Sequence, residues 1–277
     1  MLAVSALFLS TSGIALRNIE DASGWQILFY RSVAFSTTVL LFLLLRKKTR
    51  VTAYFQKLRW DDFLLVIFLG TGFIAYVFAL LHTTVANALF IIGAAPLMLA
   101  LLGWVILKER VPRKTWVAIG CATVGIIVMV GGGFSGGYYL GNLIALWVPI
   151  AYSVTIILVR RSARIDMLPA LFLAGIFSMT ISALCLTDFG IGLRDLIISI
   201  YLGVFQVGFG FIFMLLGARY VPAAQVGLIG LTEPVCAPIW VWWGVGELPT
   251  MTTLIGGVVI FFAIISNGIS SITRANE

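Results

Sequence analysis

Apolar runs separated by short polar connections follow one another along the whole chain. No stretch alternates apolar and polar residues with the period of two that ~10-residue membrane β-strands require. A helix crossing bilayer hydrocarbon needs about 17–25 predominantly apolar residues. Ten segments fit: 2–16, 25–45, 63–81, 84–107, 115–131, 141–159, 167–187, 195–217, 223–245 and 251–272. The expected fold is an all-α integral membrane protein with ten transmembrane helices. Segment 1 starts at Met1 but has neither the basic n-region nor the small-x-small cleavage site of a signal peptide.

Composition agrees with this pattern. The chain is 61% hydrophobic and 10% charged, against about 45–50% and about 25% in soluble domains. Mean hydropathy is +1.10. The net charge of +7 would suit nucleic acid, but its placement points elsewhere. If the N-terminus is cytoplasmic, fifteen Lys and Arg fall on the cytoplasmic side, in 46–59, 108–114, 160–164, Arg219 and Arg274. The opposite side holds Arg17 and Arg194, and Arg31 lies inside segment 2. This asymmetry follows the positive-inside rule. It predicts both termini in the cytoplasm, a multi-pass protein of a bacterial inner membrane, and no nucleic-acid partner. Cys121, Cys185 and Cys236 lie in apolar segments and fit neither a disulfide framework nor metal-ligand spacing. No P-loop, GxSxG, HExxH or Cys/His cluster is present. Neither catalytic residues nor a metal or other cofactor is expected.

The chain also repeats itself. Shifted by 138 residues, FLGTGF at 68–73 falls on QVGFGF at 206–211, and VANALFIIGAAP, ending at Pro96, falls on AAQVGLIGLTEP, ending at Pro234. Asn87 meets Gln225, Trp104 meets Trp242 and Glu109 meets Glu247. The predicted domains are therefore residues 1–138 and 139–277, five spans each. An odd span count inserts the second copy upside down, the architecture of alternating-access transporters. Pro96, Pro234 and Pro238 each remove an amide donor and free a carbonyl about one turn upstream. Free carbonyls persist at membrane depth only beside protein or a wet cavity. These prolines are the predicted helix breaks, and broken helices at corresponding places in two repeats point to a binding site.

Two stretches resemble a known family. ALLHTTVANALFIIGAAPLMLALLGWVILKERVP (79–112) and RYVPAAQVGLIGLTEPVCAPIWVWWGVGELPT (219–250) are similar to the repeat signatures of EamA-type carriers of the drug/metabolite transporter superfamily. The resemblance runs the length of the chain and is closest to bacterial exporters of aromatic amino acids (YddG type). It implies a basket of ten helices around a central cavity walled by segments 1–4 and 6–9, with segments 5 and 10 as a buttress. It also implies metabolite export. The very short N-terminus departs from the pattern, because no basic residue precedes segment 1.

Ionisable side chains inside a bilayer are costly, so each is a functional candidate. Glu233 lies near the middle of segment 9. It is either a structural carboxylate beside the Pro234 break or a group that carries protons. Arg31, near the outer end of segment 2, either snorkels outward or offers a cation to a substrate carboxylate or to Glu233. His82, the only histidine, ends segment 3 as an interfacial ring or a pH-sensitive group. Asn87 and Gln225 either bond across helices or bind a polar substrate. Tyr76, Tyr152, Trp147, Phe209 and Trp240 either line a cavity wide enough for a ring or fill the core.

The function expected from these residues is secondary export of small metabolites, above all aromatic or other apolar amino acids, with proton coupling open. A nucleotide-sugar or phosphate-sugar carrier would need clustered Lys and Arg to meet phosphate, and only Arg31 is a clear intramembrane cation. A lipid-modifying enzyme would need acidic or His residues paired at one interface, whereas Asp188, Asp195, His82 and Glu247 are scattered. The partners expected are a small-molecule substrate and the lipid bilayer. The glycines of segments 5 and 10 could form a dimer face or meet lipid, which leaves the oligomeric state open.

Overall fold

A computed structural model describes residues 1–45, 59–108, 111–161, 167–217, 220 and 230–275. Gln225 and Glu109 lie outside these residues. The described chain is helical, without strands: α1 (Leu2–Ser10), α2 (Ser12–Arg17), α3 (Gly24–Leu45), α4 (Trp60–His82), α5 (Val85–Gly93) and α6 (Ala95–Leu107) come first. Then follow α7 (Arg113–Gly136), α8 (Tyr139–Arg161), α9 (Met167–Cys185), α10 (Leu193–Gly217), α11 (Thr232–Val245) and α12 (Met251–Ala275). Seven stretches, among them α3, α4, the α5–α6 pair and α8, are long and apolar enough to cross a membrane. Leu2–Arg17 and Met251–Asn267 are shorter apolar helices.

Four of these rods are irregular, each for a local reason. The α5–α6 rod breaks at Ala94. Pro96 in the first turn of α6 has no N–H to give a carbonyl of α5, and its fixed φ suits a helix start. A turn at Leu231 precedes α11, which then starts with Thr232, Glu233 and Pro234. Pro238 does not break its helix: α11 runs through it to Val245. The tolerance is local, because proline costs one i−4 bond and neighbouring helices support the turn. The break at Thr11 between α1 and α2 has no proline. There the hydroxyls of Ser10 and Thr11 donate to the carbonyls of Leu7 and Phe8, at 2.8 and 2.7 Å. Such side-chain bonds compete with the helical ladder. Within α10, residues Leu202–Phe209 are π-helical. A Cβ at Gly203 would collide with the carbonyl of Arg31, so glycine sets how closely α10 approaches α3.

Two apolar clusters divide the interior. One gathers Ile27, Leu28, Val77, Leu80, Leu89, Met129 and Ile260 at the end away from the N-terminus, here called distal. The other gathers Phe35, Val39, Leu65, Leu69, Phe73 and Leu171 at the proximal end. Along α3 the seam between them falls at Arg31, and along α4 at Tyr76. α7 and α12 pack along each other to one side of the bundle. A Cβ on Gly125 would sit 2.8 Å from the carbonyl of Gly256, and one on Gly256 would sit 2.6 Å from the carbonyl of Gly125. Thr115 donates to Asn267 at 2.6 Å further along the pair.

Candidate functional site

Polar chemistry collects at the seam between the two clusters. Tyr76 reaches from α4 to the start of α11, with its hydroxyl 2.8 Å from Glu233 Oε1 and 2.6 Å from Ser12 Oγ. A phenol has one proton to give. Toward an ionised Glu233 the chain runs Ser12 to Tyr76 to carboxylate, and toward a protonated Glu233 it reverses. Arg31 is 4% exposed, and its guanidinium lies 5.9 Å from the ring centroids of both Phe73 and Tyr76. Among the described residues it meets rings and no hydrogen-bond acceptor. A desolvated cation–π contact contributes about 2 kcal/mol, which offsets only part of the several kcal/mol that burying a charge costs. What Arg31 lacks among the described residues is an acceptor, and a guanidinium fork suits a carboxylate. Tyr76 thus carries a guanidinium against its ring and a carboxyl group at its hydroxyl.

The break in the first rod supplies the floor of this site. Ser10, Thr11 and Ser12 each meet a side chain from a different helix. Trp240 Nε1 on α11 donates to Ser10 at 3.0 Å, the Tyr201 hydroxyl on α10 to Thr11 at 2.9 Å, and Tyr76 on α4 meets Ser12. Gln206, inside the π-helical stretch, is 1% exposed. Its Nε2 lies 3.5 Å from the Leu9 carbonyl, and its Oε1 has no partner among the described residues. Sequence reasoning missed Ser10, Thr11, Ser12, Phe73 and Gln206. Three consecutive hydroxyl residues inside an apolar run were the available signal.

The structure therefore brings Glu233, Arg31, Tyr76 and Trp240 to one place, and Pro234 with them. It places the other candidates elsewhere. Asn87 is 2% exposed and sits in a buried chain of amides and hydroxyls. Its Nδ2 donates to Thr83 at 3.3 Å, its Oδ1 accepts from Thr253 at 2.5 Å, and Thr83 donates on to Asn142 at 2.7 Å. This chain joins α5, α8 and α12, so the cross-helix role is the one the geometry shows. His82 is exposed at the distal end, its Nδ1 2.8 Å from the Phe78 carbonyl and its ring stacked on Phe78. Tyr152 is half-buried on α8 and makes no hydrogen bond among the described residues. Trp147 faces outward, stacked on Phe68 and donating to Thr71 at 3.1 Å. Phe209 belongs to a ladder of rings with Phe8, Phe205 and Phe213. Pro96 is exposed.

At the distal end an open cleft of about 440 Å³ is lined by Arg17, His82, Thr84, Tyr138, Glu247 and Thr250, among others. No group of three or more His, Cys, Asp or Glu among the described residues could hold a metal ion.

A broken-helix bundle with a charged seam has relatives. The model of the EamA-like transporter family matches residues 1–131 and again residues 139–268. The chain belongs to the EamA-like transporter family. It is a multi-pass membrane transporter of the drug/metabolite superfamily. An uncharacterized transporter of Archaeoglobus fulgidus is 26% identical over 194 residues, covering 69% of this chain and 70% of its own. A crystal structure of a protein 18% identical to this chain superposes with a TM-score of 0.68, over 100% of this EamA-like chain and 97% of its own. At that identity the superposition speaks for the shared fold alone. Membership of this family implies a small-molecule substrate and the lipid bilayer as partners.

Proposed function

We propose that this transporter exports amino acids with aromatic or other apolar side chains, as exporters of the YddG type do. The carrying observation is the arrangement around Tyr76: on one side an Arg31 guanidinium that meets no acceptor among the described residues, and on the other the Glu233 carboxyl group. Two opposite charges separated by an aromatic ring complement a zwitterion. The substrate carboxylate would meet Arg31 and its ammonium Glu233, while Phe73, Tyr76 and Trp240 face its side chain. Aromatic and cation–π contacts of this kind favour a ring over a bare polar chain.

In this reading residues 1–138 and 139–277 are two inverted five-helix repeats that rock about the site to alternate access. The tandem family match and the interruptions at Ala94 and Leu231 support it. Ten spans follow from the ten apolar segments, a bacterial inner membrane from the resemblance to such exporters, and cytoplasmic termini with the distal end outside from the Lys and Arg asymmetry. The test is purified protein in liposomes, offered labelled phenylalanine, tryptophan, leucine, glutamate and UDP-glucose, with and without a pH gradient. Flux of the apolar amino acids alone is expected, and flux of UDP-glucose in their place would overturn the substrate class. Glu233 gives proton coupling a physical candidate, so flux that follows the pH gradient would assign it that role.

A further inference from the structure

The six-residue helix α2 connects two features that no functional role has yet joined. Its first residue, Ser12, touches the Tyr76–Glu233 pair. Its last, Arg17, makes three charged contacts at the distal end. Arg17 Nε donates to Glu247 Oε2 at 2.5 Å, Nη1 to the Leu80 carbonyl at 2.7 Å, and Nη2 to the Thr83 carbonyl at 2.7 Å. Glu247 in turn accepts from the Val85 N–H, at the start of α5, at 2.8 Å. The pair neutralises opposite helix ends: Arg17 takes free carbonyls at the end of α4, and Glu247 takes a free amide at the start of α5. Both side chains keep about a fifth of their surface, 23% and 21%, so water can compete for them. A contact of that kind holds a closed state yet can open.

The packing beneath the latch is as specific. A Cβ on Gly13 would lie 2.5 Å from Val85 Cγ1 and 3.0 Å from Val241 Cγ2. A Cβ on Gly244 would overlap Ile14 Cδ1. Glycines on both partners let α2 lie tight against α5 and α11. At its other end, the break at Thr11 frees α2 from the ladder of α1. Hinge and latch are about 8 Å apart at 1.5 Å per residue, and α2 stands between the seam and the distal cleft.

We propose that α2 is the distal gate of the transporter, hinged at Ser10–Thr11–Ser12 and latched by Arg17 and Glu247. This rests on the reading that solute passes the Tyr76–Glu233 site. Solute that replaces Ser12 at Tyr76 or Glu233 loosens the hinge end, and opening then requires the Arg17 contacts to break.

The test uses full-length protein with Cys121, Cys185 and Cys236 changed to Ser. Ile14→Cys with Gly244→Cys forms a disulfide across α2 and α11. Oxidation is expected to stop phenylalanine flux in vesicles, and reductant to restore it. Undiminished flux through the oxidised carrier would overturn the proposal. Separately, Ser12→Cys is labelled with a membrane-impermeant maleimide on the outer face of intact cells. Arg17→Gln or Glu247→Gln is expected to raise the labelling rate about five- to tenfold, and the Ile14–Gly244 disulfide to abolish it. An unchanged rate in both latch variants would also overturn it. Labelling needs no solute, so a solute panel that fails in vesicles sinks the substrate reading and leaves the gate to be judged by labelling.

Discussion

Two buried polar groups lie on either side of α5, and they are built on opposite principles. Around Asn87 the amide finds partners on both its atoms, in Thr83 and Thr253, and Asn142 extends the chain. Around Tyr76 the balance is incomplete among the described residues: Arg31 has rings and no acceptor, and Glu233 Oε1 is held by one phenol. A saturated network fixes helices, because opening it strands desolvated groups at about 1–3 kcal/mol each. An unsaturated one keeps capacity for something that arrives. On the proposed function this difference is what would separate a joint from a binding site, since both groups consist of ordinary polar side chains in an apolar protein.

The comparison can be broken at its strongest point first. Arg31→Gln should lower amino acid flux about 10- to 100-fold, the value of a charged hydrogen bond to substrate, with expression and thermal melting close to the parent. Equal flux in vesicles would return Arg31 to a structural role. Glu233→Gln should cost about tenfold in flux and remove any difference between flux with and without a pH gradient. An unchanged response to the gradient would take the proton from Glu233. Asn87→Ala should do the reverse, losing about 1–3 kcal/mol of stability, read as a lower melting temperature in detergent, while the KM for substrate stays put. A raised KM with unchanged melting would move Asn87 into the site. His82→Ala should be the mildest, within about twofold of the parent in flux, because its ring rests exposed on Phe78.

Much of this was open to reading from the chain. Segment lengths predicted where most rods run, because a bilayer imposes one length on every apolar helix. Glu233 and Arg31 stood out because each sets a charged group within an apolar run, and Tyr76 as one of the rings able to line a cavity. What stayed hidden depends on geometry that residue identity does not carry. The Thr11 break uses hydroxyls, which in most helices bond back harmlessly to the preceding turn. The π-helical stretch of α10 carries no breaker other than glycine. Pro238 misled for the same reason: a proline marks a lost hydrogen bond, and whether a helix stops there depends on what surrounds it. Glu247 was noted as the repeat mate of Glu109 and as one of the scattered acidic residues, and its pairing with Arg17 depends on two connections meeting at the distal end.

The reciprocal contact of Gly125 and Gly256 has a mechanical consequence. Each backbone carbonyl occupies the place where the other residue's side chain would begin, so α7 and α12 meet backbone to backbone. Side chains close in around the contact: a Cβ on Gly256 would also collide with Met129 Cγ, and one on Gly125 would lie 2.8 Å from Ile260 Cγ1. The two helices are keyed together, and a backbone carbonyl cannot step aside as a flexible side chain can. Anything larger than glycine at either position would wedge the pair apart.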